Sequence, residues 1–203
     1  MTNNPRPAPR LLVLDAGGVI LSNQMPQLYR DLAEAAGGTL DDVDAAYLPL
    51  RVDLWSGALD ERRFWELLLT ALEIASPAQA WQARVAELIQ PALPVEVLQS
   101  WAAKTPVWVL SNHRSEWLLP ALDRYGYTPF IARTIVSDTT GLVKPAEDCY
   151  RYLVEHYDGP ADDILFVDDK VRNLAPAHAH GIATLEADPD GRWVAQCSKW
   201  LAA

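Results

Sequence analysis

The chain has only two cysteines, no long hydrophobic run and a deficit of positive charge. Cys149 and Cys197 have the spacing of neither a metal site nor a redox motif, so we expect two packed free thiols. The apolar runs are a few residues long, whereas about 20 apolar residues are needed to cross a bilayer, which argues against a membrane protein. With 17 Lys and Arg against 27 Asp and Glu, the net charge of -10 argues against a nucleic-acid partner.

The chain does have enough apolar side chain for a sizeable core, since 50% of its 203 residues are hydrophobic. Residues 1–9 contain proline and asparagine and no apolar segment of the signal-peptide type. We therefore expect a short flexible tail there and a cytoplasmic protein. No feature of the sequence indicates an oligomeric state.

Short apolar runs alternate with helical patterns along most of the chain. We predict strands at residues 11–14, 107–111, 130–137, 164–167 and 182–185, with helices between them. This alternation predicts an α/β fold with a parallel sheet. From about Met25 to Leu98 the apolar residues follow a helical period with no strand pattern, which predicts an inserted helical bundle. The predicted division is a core domain at residues 10–24 and 99–203, and an insert at residues 25–98.

Three of the predicted strands stop at a polar residue, as parallel strands do at a ligand-facing edge. Asp15 closes the first strand and is a candidate nucleophile toward phosphorus, because an aspartyl-phosphate splits a hard hydrolysis into two steps. Ser111 and Asn112 end the second strand with hydrogen-bonding groups. Asp168 and Asp169 follow the fourth strand, where their mutual repulsion is costly unless a cation compensates. This pair indicates a Mg²⁺ site.

Lys144 precedes Pro145, whose ring favours an extended conformation at Lys144. A cation there would neutralise phosphate charge in the transition state. Taken in order, Asp15, Ser111, Lys144 and Asp168 with its neighbouring acid resemble the four motifs of the haloacid dehalogenase superfamily of Rossmann-like hydrolases. The resemblance extends across nearly the whole chain.

The resemblance implies a Rossmann-like parallel sheet flanked by helices, with residues 25–98 as a small inserted helical cap. The segment Trp55–Trp65 is similar to a cap segment in the branch that contains epoxide-hydrolase N-terminal domains and sugar-phosphate phosphatases. The resemblance also implies Mg²⁺ as cofactor and a small phosphorylated molecule as substrate, and at this stage the two neighbouring acids can exchange roles. The implied site residues are Asp15, Ser111 and Lys144 for catalysis; Asn112, His113 and Gly18 for substrate binding; Asp15, the Gly17 carbonyl and Asp169 for the metal; and Asp168 and Asn173 behind these groups.

One position departs from the pattern of the phosphatases in this superfamily. They usually carry a second Asp two residues after the nucleophile as general acid, and here that position is Gly17. Proton transfer by a placed carboxylate contributes about 10² to 10⁴ in rate. His113, next to Ser111 and Asn112, is a candidate substitute because histidine titrates near neutral pH.

Three interpretations follow from the motifs. The first is a Mg²⁺-dependent phosphatase of a small phosphorylated metabolite, which acts through an aspartyl-phosphate on Asp15. The second is a 2-haloacid dehalogenase, in which Asp15 forms an ester and needs no metal. The third is a catalytically silent binding module that uses the fold as a scaffold. The pair of acids at Asp168 and Asp169 favours the first.

Overall fold

The computed structural model of the chain describes residues 10–202, and the tail predicted at residues 1–9 lies outside them. Within this range, strands and helices alternate as predicted, and all strand pairings are parallel. One sheet has the order β3-β2-β1-β4-β5. The α/β, Rossmann-like prediction is therefore confirmed. The strands are β1 (Leu11–Leu14), β2 (Val107–Ser111), β3 (Arg133–Val136), β4 (Ile164–Asp168) and β5 (Ala183–Glu186).

Ten α-helices accompany the sheet within residues 10–202. They are α1 (Met25–Ala36), α2 (Leu40–Ser56), α3 (Glu61–Ala71), α4 (Ala78–Leu88), α5 (Val95–Ala102), α6 (Ser115–Arg124), α7 (Ser137–Thr140), α8 (Glu147–His156), α9 (Val171–Ala179) and α10 (Arg192–Trp200). The prediction for the third strand was too long at both ends. A 3₁₀ turn occupies Thr128–Phe130, and Ser137 already begins α7.

Both faces of the sheet are covered, which explains why the central strands are uninterrupted apolar runs. Alternate residues of a strand point to opposite faces. In β1, Leu12 and Leu14 belong to the core that includes the helical insert, whereas Leu11 and Val13 belong to the core on the other face, with α8 and α9. In the central strands, polar residues can therefore occur only where the strands end. These positions lie at the carboxyl edge of the sheet.

Within the predicted insert, residues 25–88 form four helices, in which α1 packs on α2, α2 on α3, α3 on α4 and α4 back on α1. The two segments that join this insert to the sheet run side by side. Ser22 N donates to Gln90 O at 2.7 Å, and Leu93 N donates to Ile20 O at 3.1 Å. The predicted boundary after residue 98 falls inside α5 (Val95–Ala102), so the division into core and cap remains a prediction.

The last helix, α10, packs on its own chain. The rings of Trp193 and Trp101 lie 5.9 Å apart, and Trp101 Nε1 donates to Ser198 Oγ at 2.9 Å. Cys149 and Cys197 are buried free thiols, as predicted. Among the helices of residues 10–202, none combines the length and the apolarity needed to span a bilayer.

Candidate active site at the carboxyl edge of the sheet

The strand register brings the predicted nucleophile and the predicted acid pair together. Leu14 of β1 pairs with Val167 of β4, and Asp15 N donates to Val167 O at 2.9 Å. The next residues along the two strands, Asp15 and Asp168, therefore lie side by side. Ser111 ends the neighbouring strand β2 and is 2% exposed. The carboxyl edge of a parallel sheet is where α/β folds bind ligands.

Lys144 is the cation that joins these groups. Its Nζ lies 3.0 Å from Asp15 Oδ1 and 2.6 Å from Asp168 Oδ2, and its side chain is almost fully buried. Burial disfavours the ammonium, but the carboxylates of Asp15 and Asp168 outweigh it and raise the pKa of Lys144. Lys144 is thus a permanently charged group next to the predicted nucleophile.

Asn112 makes two hydrogen bonds that the sequence did not predict. Its Oδ1 accepts from Lys144 N at 2.8 Å, and its Nδ2 donates to Lys144 O at 2.7 Å. Because both ends of the amide are engaged with the main chain of Lys144, this side chain holds the lysine segment in place. Asn112 also lines the cavity and Nδ2 has a second hydrogen, so its contact with substrate stays a prediction. The Lys144–Pro145 peptide bond is cis.

The two neighbouring acids differ sharply in their contacts. Asp168 accepts from Lys144 Nζ, from Asn173 Nδ2 at 2.9 Å to each oxygen, and from Lys170 N at 2.8 Å. In contrast, Asp169 Oδ1 is buried without a hydrogen-bond partner among the described residues, and Lys170 Nζ lies 3.8 Å from it. Asp169 therefore offers the oxygen that a metal could use, while the carboxylate of Asp168 orients Lys144.

The carboxylates of Asp15, Asp168 and Asp169 fit a hard divalent cation. One oxygen from each lies within 4.8 Å of the others. Three carboxylates and the Lys144 ammonium leave a net charge of about -2, which a divalent cation would balance. Burial raises the pKa of Asp169, and the neighbouring acids raise it further, although Lys170 opposes them. Bound Mg²⁺ would relieve this cost through oxygen ligands of the kind it prefers.

The two glycines after the nucleophile serve different needs. Gly18 has φ +84°, and a Cβ at this position would lie 2.6 Å from Asp169 Oδ2. Gly18 does not line the cavity of the site, and its missing Cβ permits the close approach of Asp169. The contact of Gly18 with substrate stays a prediction. Gly17 does line the cavity, and a Cβ there would meet no atom within 4 Å. The place of the missing second acid is therefore open space.

His113 is a poor candidate for the missing general acid. It is 5% exposed, and burial lowers its pKa from 6.5 to about 4. Its Nδ1 lies 3.3 Å from Arg114 O and its Nε2 lies 3.0 Å from Gln24 Nε2. These contacts suit the neutral tautomer with the proton on Nδ1, because Nε2 then accepts from the Gln24 amide. At neutral pH this imidazole has no proton to give from Nε2.

A cavity of about 690 Å³ opens above the predicted nucleophile and lies between the sheet edge and the helical insert. Asp15, Ser111 and Lys144 line its floor, and Tyr29, Tyr47 and Trp55 of the insert line it as well. A volume in this range accommodates ligands much larger than phosphate. The sequence suggested Trp55 as a contact of the cap but gave no sign that Tyr29 and Tyr47 line a cavity, because these two tyrosines have the same helical spacing as core residues.

Arg114 is a structural residue of the site that the sequence did not reveal. It is 5% exposed, and its Nη1 donates to Leu54 O at 3.1 Å and to Leu59 O at 2.9 Å. Glu116 accepts from the other side of the guanidinium at 2.7 Å. Arg114 therefore ties the end of α2 to the loop that carries His113. Its position directly after that loop is the only sequence signal for this role.

Comparison with known proteins agrees with the geometry. A family model described as haloacid dehalogenase-like hydrolase matches residues 9–181. No curated protein matches the chain significantly in sequence. A predicted HAD-like family hydrolase from Porphyromonas gingivalis has a similar structure, with 22% identity, a TM-score of 0.77, and coverage of 96% of this chain and 98% of the other.

Two further solved structures with a similar fold differ in ligand and activity. A HAD family enzyme from Bacteroides thetaiotaomicron, solved in complex with magnesium and inorganic phosphate, is 16% identical, with a TM-score of 0.72 and coverage of 88% and 94% of the two chains. An L-2-haloacid dehalogenase is 20% identical, with a TM-score of 0.63 and coverage of 88% and 86%. At these identities the likeness establishes the shared fold.

Proposed function

The chain belongs to the haloacid dehalogenase-like hydrolases, and from this premise we propose that it is a Mg²⁺-dependent phosphatase of a small phosphorylated molecule. One observation carries the proposal: a buried oxygen of Asp169 lacks a hydrogen-bond partner among residues 10–202, inside a carboxylate cluster of net negative charge next to Asp15. A dehalogenase needs no such metal position. Leaving a buried carboxylate oxygen without a hydrogen bond is costly, and Lys170 at 3.8 Å is too far to donate one, so a divalent cation would supply the missing partner.

Asp15 is the nucleophile in this proposal. Its Oδ1 is held by Ala16 N at 2.6 Å and by Lys144 Nζ at 3.0 Å. Its Oδ2 attacks phosphorus, the phosphorus–oxygen bond to the leaving group breaks, and the leaving oxygen takes up a proton from water. A water molecule then attacks the phosphorus of the aspartyl-phosphate, which releases inorganic phosphate and restores the carboxylate.

The other residues hold charge and position during these steps. Lys144 keeps its ammonium next to the transferred phosphoryl group, and Asp168 with Asn173 holds Lys144 in this place. Ser111 offers a hydroxyl at the cavity floor. Asp15, Asp169 and the Gly17 carbonyl would hold Mg²⁺, which when bound draws negative charge from the phosphoryl oxygens. Because Gly17 provides no acid, we expect a preference for substrates whose leaving group needs little protonation.

Phosphate release in the presence and absence of Mg²⁺ tests the proposal. The substrates are a panel of sugar phosphates, nucleotides and 4-nitrophenyl phosphate, and the variants are Asp15→Asn and Asp158→Asn. Asp158 is an exposed surface acid, so its variant controls for the charge change. We expect Mg²⁺-dependent turnover that Asp15→Asn abolishes and Asp158→Asn retains. Turnover that survives Asp15→Asn or a chelator would contradict the proposal.

A 2-haloacid dehalogenase is the second candidate, since Gly17 lacks the acid of the phosphatases and one structural neighbour is such an enzyme. Chloride release from 2-chloropropionate in the presence of a chelator would favour it. If neither phosphate nor chloride is released, the catalytically silent module becomes the better interpretation. The net charge of -10 and the free thiols of Cys149 and Cys197 support a cytoplasmic protein without a nucleic-acid partner.

A further inference from the structure

Positive charge is concentrated on the cavity of an otherwise acidic protein. The whole chain has 17 Lys and Arg against 27 Asp and Glu. On the cavity lining the balance is reversed, with five cations and a single acid among the described residues. The residues concerned are Arg30, Arg51, Lys144, Lys170 and Arg172 against Asp15.

Three of these cations already have partners in the protein. Lys144 pairs with Asp15 and Asp168, and Lys170 lies 3.8 Å from Asp169. Arg30 donates twice to Gln27, at 3.1 Å and 2.7 Å.

Arg51 and Arg172 differ from the other three, because within residues 10–202 neither guanidinium forms an ion pair or a hydrogen bond. Arg51 belongs to α2 of the insert, whereas Arg172 belongs to α9 beside the sheet edge. The two cations therefore come from the two parts of the chain that enclose the cavity, 121 positions apart in sequence. Neither arginine belongs to the proposed phosphoryl site at Asp15 and Lys144, so both are available to a second anion.

The space between the phosphoryl site and the insert has an apolar wall. Tyr29 and Tyr47 pack edge to face with ring centroids 5.5 Å apart, and Trp55 follows on the same helix as Tyr47. Leu40 and Val52 also line the cavity and are 50% and 61% exposed. Exposed apolar side chains at a cavity are suited to the hydrocarbon part of a ligand.

We propose that the ligand of this cavity carries a second anionic group, a carboxylate or a phosphate, that Arg51 and Arg172 bind. An apolar body along Tyr29, Tyr47 and Trp55 separates this group from the phosphoryl group at Asp15. The assignment of the first anion rests on the proposed phosphatase function. The second anion site rests on the cavity charges alone. The guanidinium fork binds carboxylate and phosphate with two parallel hydrogen bonds, so both anions suit it.

Non-hydrolysable phosphonates test this proposal independently of turnover. The probes are butylphosphonate and hexylphosphonate, their matched carboxylates 4-phosphonobutyrate and 6-phosphonohexanoate, and hexane-1,6-bisphosphonate. Their dissociation constants are measured by calorimetry with the full chain and Mg²⁺. The binding free energy of one charge-assisted hydrogen bond corresponds to an affinity change of about tenfold. We therefore expect at least one doubly anionic probe to bind about tenfold more tightly than its singly anionic match. Comparing the dissociation constants of 6-phosphonohexanoate and hexane-1,6-bisphosphonate shows whether a carboxylate or a phosphonate is preferred as the second anion.

Arginine variants locate the effect. In the Arg51→Met, Arg172→Met double variant the advantage of the second anion should fall below about twofold, because both guanidinium groups are gone. Arg62→Met is the matched control, since Arg62 is an exposed arginine of the insert that does not line the cavity. Equal binding of all matched pairs, or an advantage that persists in the double variant, would overturn the proposal.

The binding test and the phosphatase test can fail separately. If the second-anion advantage is found but no phosphate is released from any substrate, the anion site stands and the phosphatase function fails. If phosphate is released but the matched phosphonates bind equally, the phosphatase stands and the second anion site is wrong.

Discussion

Replacing Gly17 by aspartate should give the site the general acid that it lacks. The structure has room for this change, because a Cβ on Gly17 meets no atom within 4 Å and Gly17 is not among the positive-φ glycines. A carboxylate there would face the cavity floor next to Asp15. The three carboxylates nearby would raise its pKa, which keeps a larger fraction of it protonated.

The size of the gain follows from the leaving group. A placed acid contributes about 10² to 10⁴ in rate, or roughly 3 to 5 kcal/mol of barrier, when the leaving alkoxide must be protonated. We therefore expect Gly17→Asp to raise kcat on hexyl phosphate about 100-fold. On 4-nitrophenyl phosphate the change should stay within about threefold, because nitrophenolate leaves without a proton.

Steady-state phosphate release at saturating Mg²⁺ measures both rates, since the added negative charge also changes metal affinity. Gly17→Asn is the matched control, as it has the shape of aspartate without the acid. Equal rates on hexyl phosphate for the Asp and Asn variants, or an equal gain on both substrates, would refute the reasoning.

Three further predictions concern the same edge of the sheet. Gly18→Ala should weaken Mg²⁺ binding and lower the unfolding free energy, because the backbone at Gly18 has φ +84° and the new Cβ would lie 2.6 Å from Asp169. Gly191→Ala is the control: the backbone there has φ +73° but free space around it, so this change should cost only about 1 kcal/mol of unfolding free energy in denaturant titration. Asp169→Asn should weaken Mg²⁺ at least about tenfold in calorimetry while Asp158→Asn leaves it unchanged; equal affinities would exclude Asp169 as a ligand. The pKa of His113 is about 4 in the folded chain and 6.5 in the unfolded chain, so between these pH values only the unfolded chain binds a proton at His113. The unfolding free energy should therefore fall by about 3 kcal/mol as the pH falls from 6.5 to about 4. The His113→Gln variant should lack this component, and an identical pH profile would contradict it.

The sheet and its polar edge were predictable because they follow from local patterns. A strand buried on both faces must be apolar throughout, so Leu11–Leu14 and Val107–Ser111 could be recognised directly. The residue that ends such a run lies at the carboxyl edge, which is how Asp15 and Asp168 were recognised as neighbours. The third strand was less clear, since the apolar residues around Phe130 pack from a 3₁₀ turn and not from the sheet.

Only the structure shows which partners the individual side chains at this edge contact. Asn112 and Ser111 are adjacent and equally polar in sequence, yet only contacts across the fold show that the Asn112 amide holds Lys144. The same is true of the acid pair. Hydrogen bonds engage both oxygens of Asp168, whereas one buried oxygen of Asp169 has no hydrogen bond within residues 10–202. Neighbouring residues at the end of a strand point in different directions, and their partners come from distant segments.

The sequence by itself determined the fold class, the family resemblance and the group of residues at the sheet edge, because these depend on short apolar runs and the polar residues that end them. Only the tertiary structure decided which carboxylate of the acid pair has an oxygen without a hydrogen bond among residues 10–202, that His113 is buried with a lowered pKa, and that Arg51 and Arg172 line one cavity. Burial, hydrogen bonding and the placement of two residues 121 positions apart on one cavity are properties of the folded chain, and no local pattern encodes them.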